Sequence, residues 1–411
     1  MRALAVIDGE HYEPVVRDAV AALPYDVVAV WRAGGTEKLR GGEDYGVPVV
    51  RGLEAGIAEY EPELVIDLSD EPVLGPRERF RVASRVLARG LPYVGPDFRF
   101  DPPELAPFEP ASLGVIGTGK RVGKTAVTGH VARLFASDRD VVVVAMGRGG
   151  PPEPELAEVS PALKDLLELS REGRHAASDY LETAALAGVV TIGCRRCGGG
   201  LAGSPGDSNV LAGAALAAER EPDLVIFDGS GAAIPPVDVG ARVLVTSAAQ
   251  PVEVATGYLN AYRILISDLV VVTGGADERL RAAIAEVKDL PVVSVELRPR
   301  PVEPIAGRRV AFFSTAPPEA HEILARHLTE QHGAEVTHVS GNLARRDALR
   351  AELDHVDADV YVVEIKAAAI DVVAEAALGR GREVAFADNE LVAETDLNEQ
   401  LLALVPEPAL K

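Results

Sequence analysis

The 411-residue sequence predicts an α/β fold built on parallel sheets. Apolar runs of strand length alternate with segments of helical periodicity along the whole chain. In the middle of the chain these runs are continuously apolar, as in strands that are covered by helices on both faces. Two proline-rich segments, 101–110 and 298–304, interrupt the alternation. The sequence therefore predicts three domains, at residues 1–108, 111–300 and 305–411.

The predicted strands follow the apolar runs in chain order. In the first block they lie at 2–7, 26–31, 63–68 and 92–94; in the second at 112–116, 141–146, 224–227, 243–246, 269–273 and 292–295; in the third at 309–313, 335–339, 360–364 and 383–387. Right-handed crossovers between such strands produce doubly wound sheets. Ligands of these sheets bind at the carboxyl ends of the strands, so functional residues are expected there.

The second block begins with an apolar strand, a glycine-rich loop and an amphipathic helix. The loop reads Gly117-Thr-Gly-Lys-Arg-Val-Gly-Lys-Thr125, and its last three residues have the pattern of a phosphate-binding P-loop. Its glycines allow backbone N–H groups to face a triphosphate at the positive end of the helix. The usual motif has glycine where this chain has Thr118. The alternative is a glycine-rich turn that only joins strand to helix.

This motif refines the predicted fold to a central P-loop NTPase-type parallel sheet domain flanked by N- and C-terminal Rossmann-like α/β domains. We expect Lys124 to reach the β- and γ-phosphates of ATP and Thr125 to bind Mg²⁺. The catalytic residues are predicted to be Lys124, Lys120 and Arg148. The predicted ATP contacts are Gly117, Thr118, Gly119, Lys120, Arg121, Val122, Gly123, Lys124 and Thr125.

Asp228 ends the apolar run 224–227 and is followed by Gly229 and Ser230. A carboxylate delivered by a strand beside a P-loop is a direct or water-mediated ligand of the nucleotide's Mg²⁺ in many such proteins. Asp228 is therefore predicted to be the second magnesium ligand. The alternative is an aspartate that caps the turn after the strand.

Two further glycine-rich segments contain arginines. Arg148 follows the predicted strand 141–146, and Arg195 and Arg196 lie in a segment that we interpret as a loop, 193–206. The guanidinium fork matches the geometry of phosphate, so all three arginines are predicted to bind an anionic substrate. A surface turn around Arg148, and solvent-exposed side chains for Arg195 and Arg196, are the alternatives.

Two more strand ends have charged residues. Asp8 and His11 follow the first strand, where they are predicted to contact substrate from the N-terminal domain; an N-cap formed by Asp8 is the alternative. Lys366 follows the strand 360–364, and we interpret it as a surface lysine.

The two cysteines, Cys194 and Cys197, form a single C-x-x-C pair. The pair is open to three interpretations: half of a zinc site completed across a dimer axis, a redox pair, or two small residues in a glycine-rich turn. A second pair, which would favour a metal, is absent from the sequence.

The net charge of −22 argues against general binding to nucleic acid or to anionic membranes. No segment approaches the roughly 18 consecutive apolar residues of a membrane span. Residues 1–8 are too short an apolar run, and too soon acidic, for a signal peptide. A cytoplasmic location is therefore predicted. An anionic substrate would need a basic pocket built against the overall charge.

Together these motifs resemble the cyclic 2,3-diphosphoglycerate synthetase family, cytoplasmic ATP-dependent ligases of archaea with relatives in some bacteria. The resemblance spans nearly the whole chain and rests on segments 6–11, 117–125, 147–152, 193–198 and 228–231. It implies use of ATP and Mg²⁺ to close the two phosphates of 2,3-diphosphoglycerate into an intramolecular phosphoanhydride, with release of ADP and phosphate. It also implies a homodimer.

Two other functions remain open from the residues. An ATP-dependent carboxylate ligase resembling dethiobiotin synthetase has a similar Gly-Thr-x-x-x-Val-Gly-Lys-Thr loop, which accounts for the central block and not for the flanking ones. A nucleotide-switched partitioning or scaffold ATPase commonly has lysine five residues before Lys124, where this chain has Gly119.

Overall fold

The computed structural model describes residues 1–158, 161–173, 176, 178–366, 368–393 and 395–405. They form two compact units. The first comprises Met1–Glu104, Gln250–Ile266 and Arg279–Asp289; the second comprises Leu105–Ala249, Ser267–Glu278 and the chain from Leu290 onward. Strands and helices alternate in both units, which confirms the predicted α/β class. Among the described residues, no helix is both long enough and apolar enough to cross a bilayer.

Each predicted strand overlaps a strand of the structure. The strands are β1 (Arg2–Ile7), β2 (Asp26–Arg32), β3 (Val49–Val50), β4 (Leu64–Asp67), β5 (Tyr93–Val94), β6 (Arg99–Phe100), β7 (Ser112–Gly117), β8 (Val141–Gly147), β9 (Glu155–Ala157), β10 (Val190–Cys197), β11 (Asp207–Ser208), β12 (Leu224–Asp228), β13 (Ala241–Ser247), β14 (Leu269–Thr273), β15 (Val292–Pro301), β16 (Arg309–Phe313), β17 (Glu335–Ser340), β18 (Val360–Glu364) and β19 (Glu383–Ala393).

The helices connect these strands. They are α1 (Glu13–Ala22), α2 (Leu53–Tyr60), α3 (Pro76–Leu87), α4 (Lys124–Phe135), α5 (Leu163–Arg171), α6 (Asp179–Ala187), α7 (Val210–Ala218), α8 (Val252–Thr256), α9 (Asn260–Leu265), α10 (Glu278–Ala285), α11 (His321–His332), α12 (Arg346–Leu353), α13 (Glu375–Gly379) and α14 (Leu397–Leu404). A 3₁₀ turn at Pro318–Ala320 precedes α11, and a π-helical segment at Ala369–Ala374 precedes α13.

The first unit has a sheet of order β3-β2-β1-β4-β5-β6, parallel except for β6. The chain leaves β1 toward β2 on one side and later reaches β4 on the other. The carboxyl ends of β1 and β4 therefore form a topological switch point, where doubly wound sheets bind their ligands. Asp8 directly follows β1 at this point.

The large sheet of the second unit has the order β11-β10-β8-β12-β7-β13-β14-β15-β19-β18-β16-β17, with β9 on β10. Strands β7, β8, β12 and β14 are buried at every residue, as their continuously apolar sequences predict. Helix α4 covers one face with Val127, Val131 and Phe135, which are spaced four residues apart and are all fully buried.

Strand β15 joins two halves of this sheet. Val292–Val295 were the predicted strand, but the structure continues it through the proline-rich segment to Pro301. From Val295 onward it pairs antiparallel with β19. Backbone N–H groups alternate in direction along a strand, and Val302 N donates to Phe386 O of β19. Pro301 and Pro299 are one and three residues away from Val302, respectively, so their nitrogens face away from β19 and cost no ladder hydrogen bond.

This pairing reverses the strand direction between the halves. Strands β7, β8, β12, β13, β14 and β15 are parallel to one another, and β16, β17, β18 and β19 run the opposite way. The carboxyl ends of the two sets face each other across the stretch Val295–Pro301, about 20 Å long at roughly 3.3 Å per residue. Residues at the ends of β8, β12 and β18 thus converge on one region.

A buried ion pair network holds the halves together. Asp388 of β19 is 4% exposed, and its Oδ2 accepts hydrogen bonds from Arg133 of α4 and from Arg300 Nη2 of β15, the latter at 3.2 Å. Removal of the carboxylate would leave two half-buried guanidinium groups facing each other.

We expect Asp388→Ala to lower the free energy of unfolding by about 3 kcal/mol, because breaking a buried pair strands its partner charges. Chemical denaturation of the full chain measures this change. The matched control is Asp347→Ala, since Asp347 is fully exposed and, among the described residues, forms an ion pair only with exposed Arg350, 3.6 Å away. A control that lost as much stability as Asp388→Ala would contradict this explanation.

Candidate active site

The P-loop lies between β7 and α4. Gly123 has a φ of 82°, and a Cβ there would be 2.8 Å from Thr273 Cγ2, so the position requires glycine both sterically and conformationally. Helix α4 begins at the next residue, Lys124, and no side chain of the described residues caps its N-terminus. Its first backbone N–H groups are therefore available to a phosphate, as the sequence predicts.

Thr118, which replaces the usual glycine, anchors the start of the loop. Its backbone N donates to Val245 O at 3.0 Å, and its hydroxyl donates to Thr246 Oγ1 at 3.0 Å. The glycine before it, Gly117, passes so close to the loop after β12 that a Cβ would lie 2.9 Å from Gly231 O. The departure from the common motif thus joins the loop to β13 rather than disrupting it.

Lys124 and Asp228 form a buried ion pair beneath the loop. Lys124 Nζ and Thr128 Oγ1 both donate to Asp228 Oδ1, the second at 2.7 Å. Thr128 lies one helical turn after Lys124 on α4, so the two donors share one face of the helix. Asp228 is 1% exposed, and burial raises its pKa although Lys124 and Thr128 oppose the shift.

These side chains suit a magnesium ion. Thr125, half-buried on the first turn of α4, and Asp228 supply a hydroxyl and a carboxylate oxygen, and hard oxygen donors are the ligands that Mg²⁺ prefers. Thr128 provides a second hydroxyl at the same carboxylate, which the sequence analysis missed. Its i+4 spacing from Lys124 is the signal that could have identified it.

Arg148 and Arg196 converge at the end of the loop that Asp228 begins. A Cβ on Gly231 would lie 2.9 Å from Arg148 Nη2 and 3.7 Å from Arg196 Nη2, and Arg196 Nη2 donates to Ser230 O at 2.8 Å. Burial, and after it the charge of Arg148, lowers the pKa of Arg196. Two guanidinium groups held this close favour an anion between them.

The structure separates Arg195 from Arg196, which corrects the loop assignment. Both arginines lie on β10, where successive side chains point to opposite faces. Arg196 is half-buried near Gly231, whereas Arg195 is exposed and its backbone N donates to Asn209 Oδ1 at 2.7 Å. Lys120 and Arg121 are exposed at the tip of the P-loop. The roles of these residues stay predictions.

Asp179 is an acidic neighbour that sequence reasoning did not identify. It is the first residue of α6, and its Oδ2 lies 3.5 Å from the position of a Cβ on Gly147, at the end of β8. Its charge acts on Asp228, Arg196, Glu182 and Lys366. Asp179 therefore interacts electrostatically both with Asp228, beside the P-loop, and with Lys366, at the end of β18 in the C-terminal half of the sheet. Only its position after Ser178, a helix-starting residue, marked it in the sequence.

Lys366 is not the surface lysine that we predicted. Its Nζ donates to Glu182 Oε1 of α6, a side chain 8% exposed. Burial raises the pKa of Glu182 to about 7 against the opposing charge of Lys366. Burial also acts against the charge of Lys366, but the carboxylates of Glu182, Glu364 and Asp179 together outweigh it, and the pKa of Lys366 is raised. The ion pair thus links the residue that follows the end of β18 to helix α6, which precedes β10 of the P-loop half of the sheet.

Asp8 and His11 lie in the first unit. Asp8 is 1% exposed; its Oδ1 accepts from Glu10 N at 2.9 Å and lies 2.8 Å from His11 Nδ1, and its Oδ2 accepts from Asp70 N at 2.7 Å. Helix α1 begins at Glu13 with Tyr12 at its N-cap, so Asp8 orders the switch-point loops rather than capping α1. Substrate binding by either residue stays a prediction.

The two cysteines face opposite ways on β10. Cys194 is 1% exposed and packs against α7, while Cys197 is exposed. Burial raises the pKa of Cys194 to about 12, so it is a thiol at neutral pH. Residues i and i+3 of a strand cannot chelate one ion or approach as a redox pair without breaking the strand. Two small residues is the interpretation that fits, although on a strand and not in a turn.

Comparison with known proteins covers almost the whole chain. Three family models match: the cyclic 2,3-diphosphoglycerate synthetase N-terminal domain over residues 2–101, its P-loop domain over 112–294 and its C-terminal domain over 301–390. The match of the central model confirms the P-loop domain that the sequence predicts.

Curated relatives agree with these matches along their full length. A cyclic 2,3-diphosphoglycerate synthetase of Rubrobacter xylanophilus is 52% identical over 422 residues, covering 96% of this chain and 95% of the relative. Relatives of the same name from Thermococcus gammatolerans and Methanothermobacter thermautotrophicus are 44% and 38% identical, covering 95% and 98% of this chain and 93% and 95% of their own. The chain therefore belongs to the cyclic 2,3-diphosphoglycerate synthetase family.

Proposed function

We propose that this chain is an ATP- and Mg²⁺-dependent ligase that forms cyclic 2,3-diphosphoglycerate from 2,3-diphosphoglycerate, releasing ADP and phosphate. One observation carries the proposal: the four-residue loop Asp228–Gly231 begins at the carboxylate beside Lys124 and ends beneath Arg148 and Arg196. A nucleotide phosphate site and a second anion site are thus adjacent. An enzyme that transfers phosphate from ATP to a phosphorylated acid needs this adjacency.

The reaction balances in two displacements. An oxygen of one substrate phosphate attacks the γ-phosphorus of ATP; the bond to the β-phosphate oxygen breaks, and ADP leaves. An oxygen of the other substrate phosphate then attacks the phosphorus of the activated one, which forms the cyclic P–O–P bond and expels the transferred group as inorganic phosphate. No covalent bond to the protein forms, so the protein contributes positioning and charge neutralisation.

The side chains divide this work by their positions. Lys124 and the first turn of α4 bind the nucleotide phosphates, and Lys120 at the loop tip adds positive charge. Arg148 and Arg196 hold a substrate phosphate beside Gly231. Mg²⁺, bound by Thr125 and Asp228, would neutralise charge on the triphosphate. Because Lys124 already bonds Asp228, the two cations share one carboxylate, and phosphate binding would draw Lys124 away from it.

Turnover by the purified full chain tests the function directly. ATP and Mg²⁺ are supplied with 2-phosphoglycerate, 3-phosphoglycerate or 2,3-diphosphoglycerate, while ADP release and the phosphorus NMR spectrum are followed. We expect cyclic product from 2,3-diphosphoglycerate alone. If ADP were released at the same rate whether or not one of the three acids is present, the result would contradict the proposal and favour the switch ATPase. If ADP release instead required an unphosphorylated carboxylic acid, the result would favour the carboxylate ligase.

Asp228→Asn is expected to lower turnover and to raise the Mg²⁺ concentration that gives half-maximal rate, because a neutral amide binds a hard cation more weakly. The matched control is Asp238→Asn, an exposed partner of Arg242 in the same unit, for which Mg²⁺ dependence should stay as in the natural protein. An unchanged Mg²⁺ dependence of Asp228→Asn would make Asp228 a partner of Lys124 only.

The assembly and the location remain parts of this proposal. A homodimer would have twice the 43.3 kDa mass of the chain, and sedimentation equilibrium in an analytical ultracentrifuge measures that mass. A cytoplasmic location fits the dependence on ATP, and cell fractionation tests it.

A further inference from the structure

A second group of chemically active side chains lies away from the P-loop, in the C-terminal half of the large sheet. His327 and His332 belong to α11, and Glu390 belongs to β19. A ring nitrogen of each histidine and a carboxylate oxygen all lie within 4.8 Å of one another. Among the described residues, these are the three His, Cys, Asp or Glu side chains whose donor atoms lie close enough together to bind one metal ion.

Among the described residues, neither histidine of this group has a well-aligned hydrogen-bond acceptor for its Nε2 atom. His327 Nε2 and His332 Nε2 are both inaccessible to solvent, and neither has a hydrogen-bond partner within the part of the chain that the structure describes. Glu390 Oε1 is 3.0 Å from His327 Nε2 but lies out of line with the ring N–H direction. The centroids of the two rings are 5.5 Å apart and the ring planes are inclined at 66°, so the rings pack edge to face. Buried polar atoms without partners are unfavourable, and they point to a missing one.

We propose that His327, His332 and Glu390 form a binding site for a divalent transition metal, for which Zn²⁺ is the best match. Two imidazole nitrogens and one carboxylate oxygen are a ligand set that zinc accepts, with a fourth position left for water. A single ion would satisfy both orphaned nitrogens and the carboxylate together. The site is separate from the magnesium ligands Thr125 and Asp228, whose donors are all oxygens.

The distances are compatible with this ligation after a small closure. Zinc bonds of about 2.0–2.2 Å place tetrahedral ligand atoms roughly 3.4 Å apart, so the 3.0 Å spacing of His327 and Glu390 is already close. Since all the donor atoms lie within 4.8 Å of one another, no spacing must shorten by more than about 1.4 Å, which side-chain rotation can supply. Arg298 is directly opposite Glu390 on β15, but its guanidinium bonds Glu296, which reduces its repulsion of a cation.

A cavity of about 250 Å³ lies beside the site. It is lined by Pro301–Ala306 and by His332, and it is large enough to hold water. Because the histidine nitrogens themselves are buried, an ion would reach them only after the side chains rotate. A bound ion would link the last turns of α11 to β19, the strand that pairs with β15 where the two halves of the sheet meet. We therefore expect zinc to stabilise the C-terminal half.

The test uses the full-length protein, stripped of metal by a chelator and then titrated with ZnCl₂ in excess Mg²⁺. We expect calorimetry to give one tight zinc ion per chain and the melting temperature to rise. Co²⁺ in its place should give the intense visible absorption of a four-coordinate site. His327→Ala, His332→Ala and Glu390→Gln should each weaken zinc binding by more than about 100-fold, since even outer-shell partners of ligands are worth about 10- to 100-fold.

The matched control is His355→Ala, an exposed histidine that follows α12, which should keep full affinity. Glu390→Gln is nearly isosteric and tests the site even if a histidine variant does not fold. The proposal is overturned if the natural protein binds no stoichiometric zinc. It is equally overturned if zinc binding and its thermal effect persist in folded Glu390→Gln and in the histidine variants.

Discussion

Lys124→Ala is expected to lower the rate of ATP-dependent turnover by about 10³-fold or more, the scale associated with loss of a key cation in phosphoryl transfer. Lys124 is placed for this role by Gly123, the N-cap residue that precedes α4, and by Asp228, which accepts a hydrogen bond from its ammonium group. The variant should remain folded. Burial already raises the pKa of Asp228, so without Lys124 the carboxyl can take up a proton instead of remaining an unpaired charge.

Steady-state kinetics with circular dichroism as a check of folding measure this effect. Lys164→Ala, at an exposed position of α5, is the matched control and should keep the natural rate. Near-normal turnover by a folded Lys124→Ala protein would rule out the proposed role of the P-loop lysine in catalysis.

Arg148→Ala and Arg196→Ala are each expected to raise the apparent KM for 2,3-diphosphoglycerate by roughly 10- to 150-fold. This range corresponds to about 1.5–3 kcal/mol for a charge-assisted hydrogen bond to phosphate. Both guanidinium groups lie beside Gly231. If they hold the substrate phosphate and not the nucleotide, the KM for ATP should change little. Arg→Lys should restore affinity only in part, because a point charge cannot reproduce the fork.

Arg195→Ala distinguishes the two faces of β10. If phosphate binds only on the face of Arg196, the KM for the phosphorylated acid should be far less sensitive to Arg195 than to its neighbour. An equal rise would extend the substrate site to the exposed face, as the sequence alone predicts. Arg326→Ala, at an exposed position of α11, is the control for loss of one positive charge. If the arginine variants changed only the ATP constant, these residues would be nucleotide ligands.

Several features of the site could be predicted because their physical signals are local. The P-loop is contiguous, and its backbone conformation depends on residues such as Gly123 that lie within it. Asp228 was identifiable because a fully buried strand ends there in a carboxylate. Continuously apolar runs located the central strands for the same reason: burial on both faces leaves no polar position.

Other features depend on contacts that sequence spacing does not encode. Lys366 looked like a surface lysine because its partner, Glu182, is 184 residues away. Arg195 and Arg196 looked equivalent until β10 assigned them to opposite faces. The prolines after Arg298 suggested a boundary, and only the pairing with β19 shows that their nitrogens face away from the ladder.

By itself, then, the sequence determined the α/β class, the strand positions, the phosphate loop and its acidic partner, and a resemblance that the family models confirm. The tertiary structure alone decided which charges meet: Lys124 with Asp228, Arg148 with Arg196, Lys366 with Glu182, and the histidines of α11 with Glu390. The physical reason is the sequence separation over which each signal acts. Apolar periodicity and glycine conformation depend on a few neighbouring residues, whereas the partner of a buried charge depends on strand order and strand direction across the whole sheet.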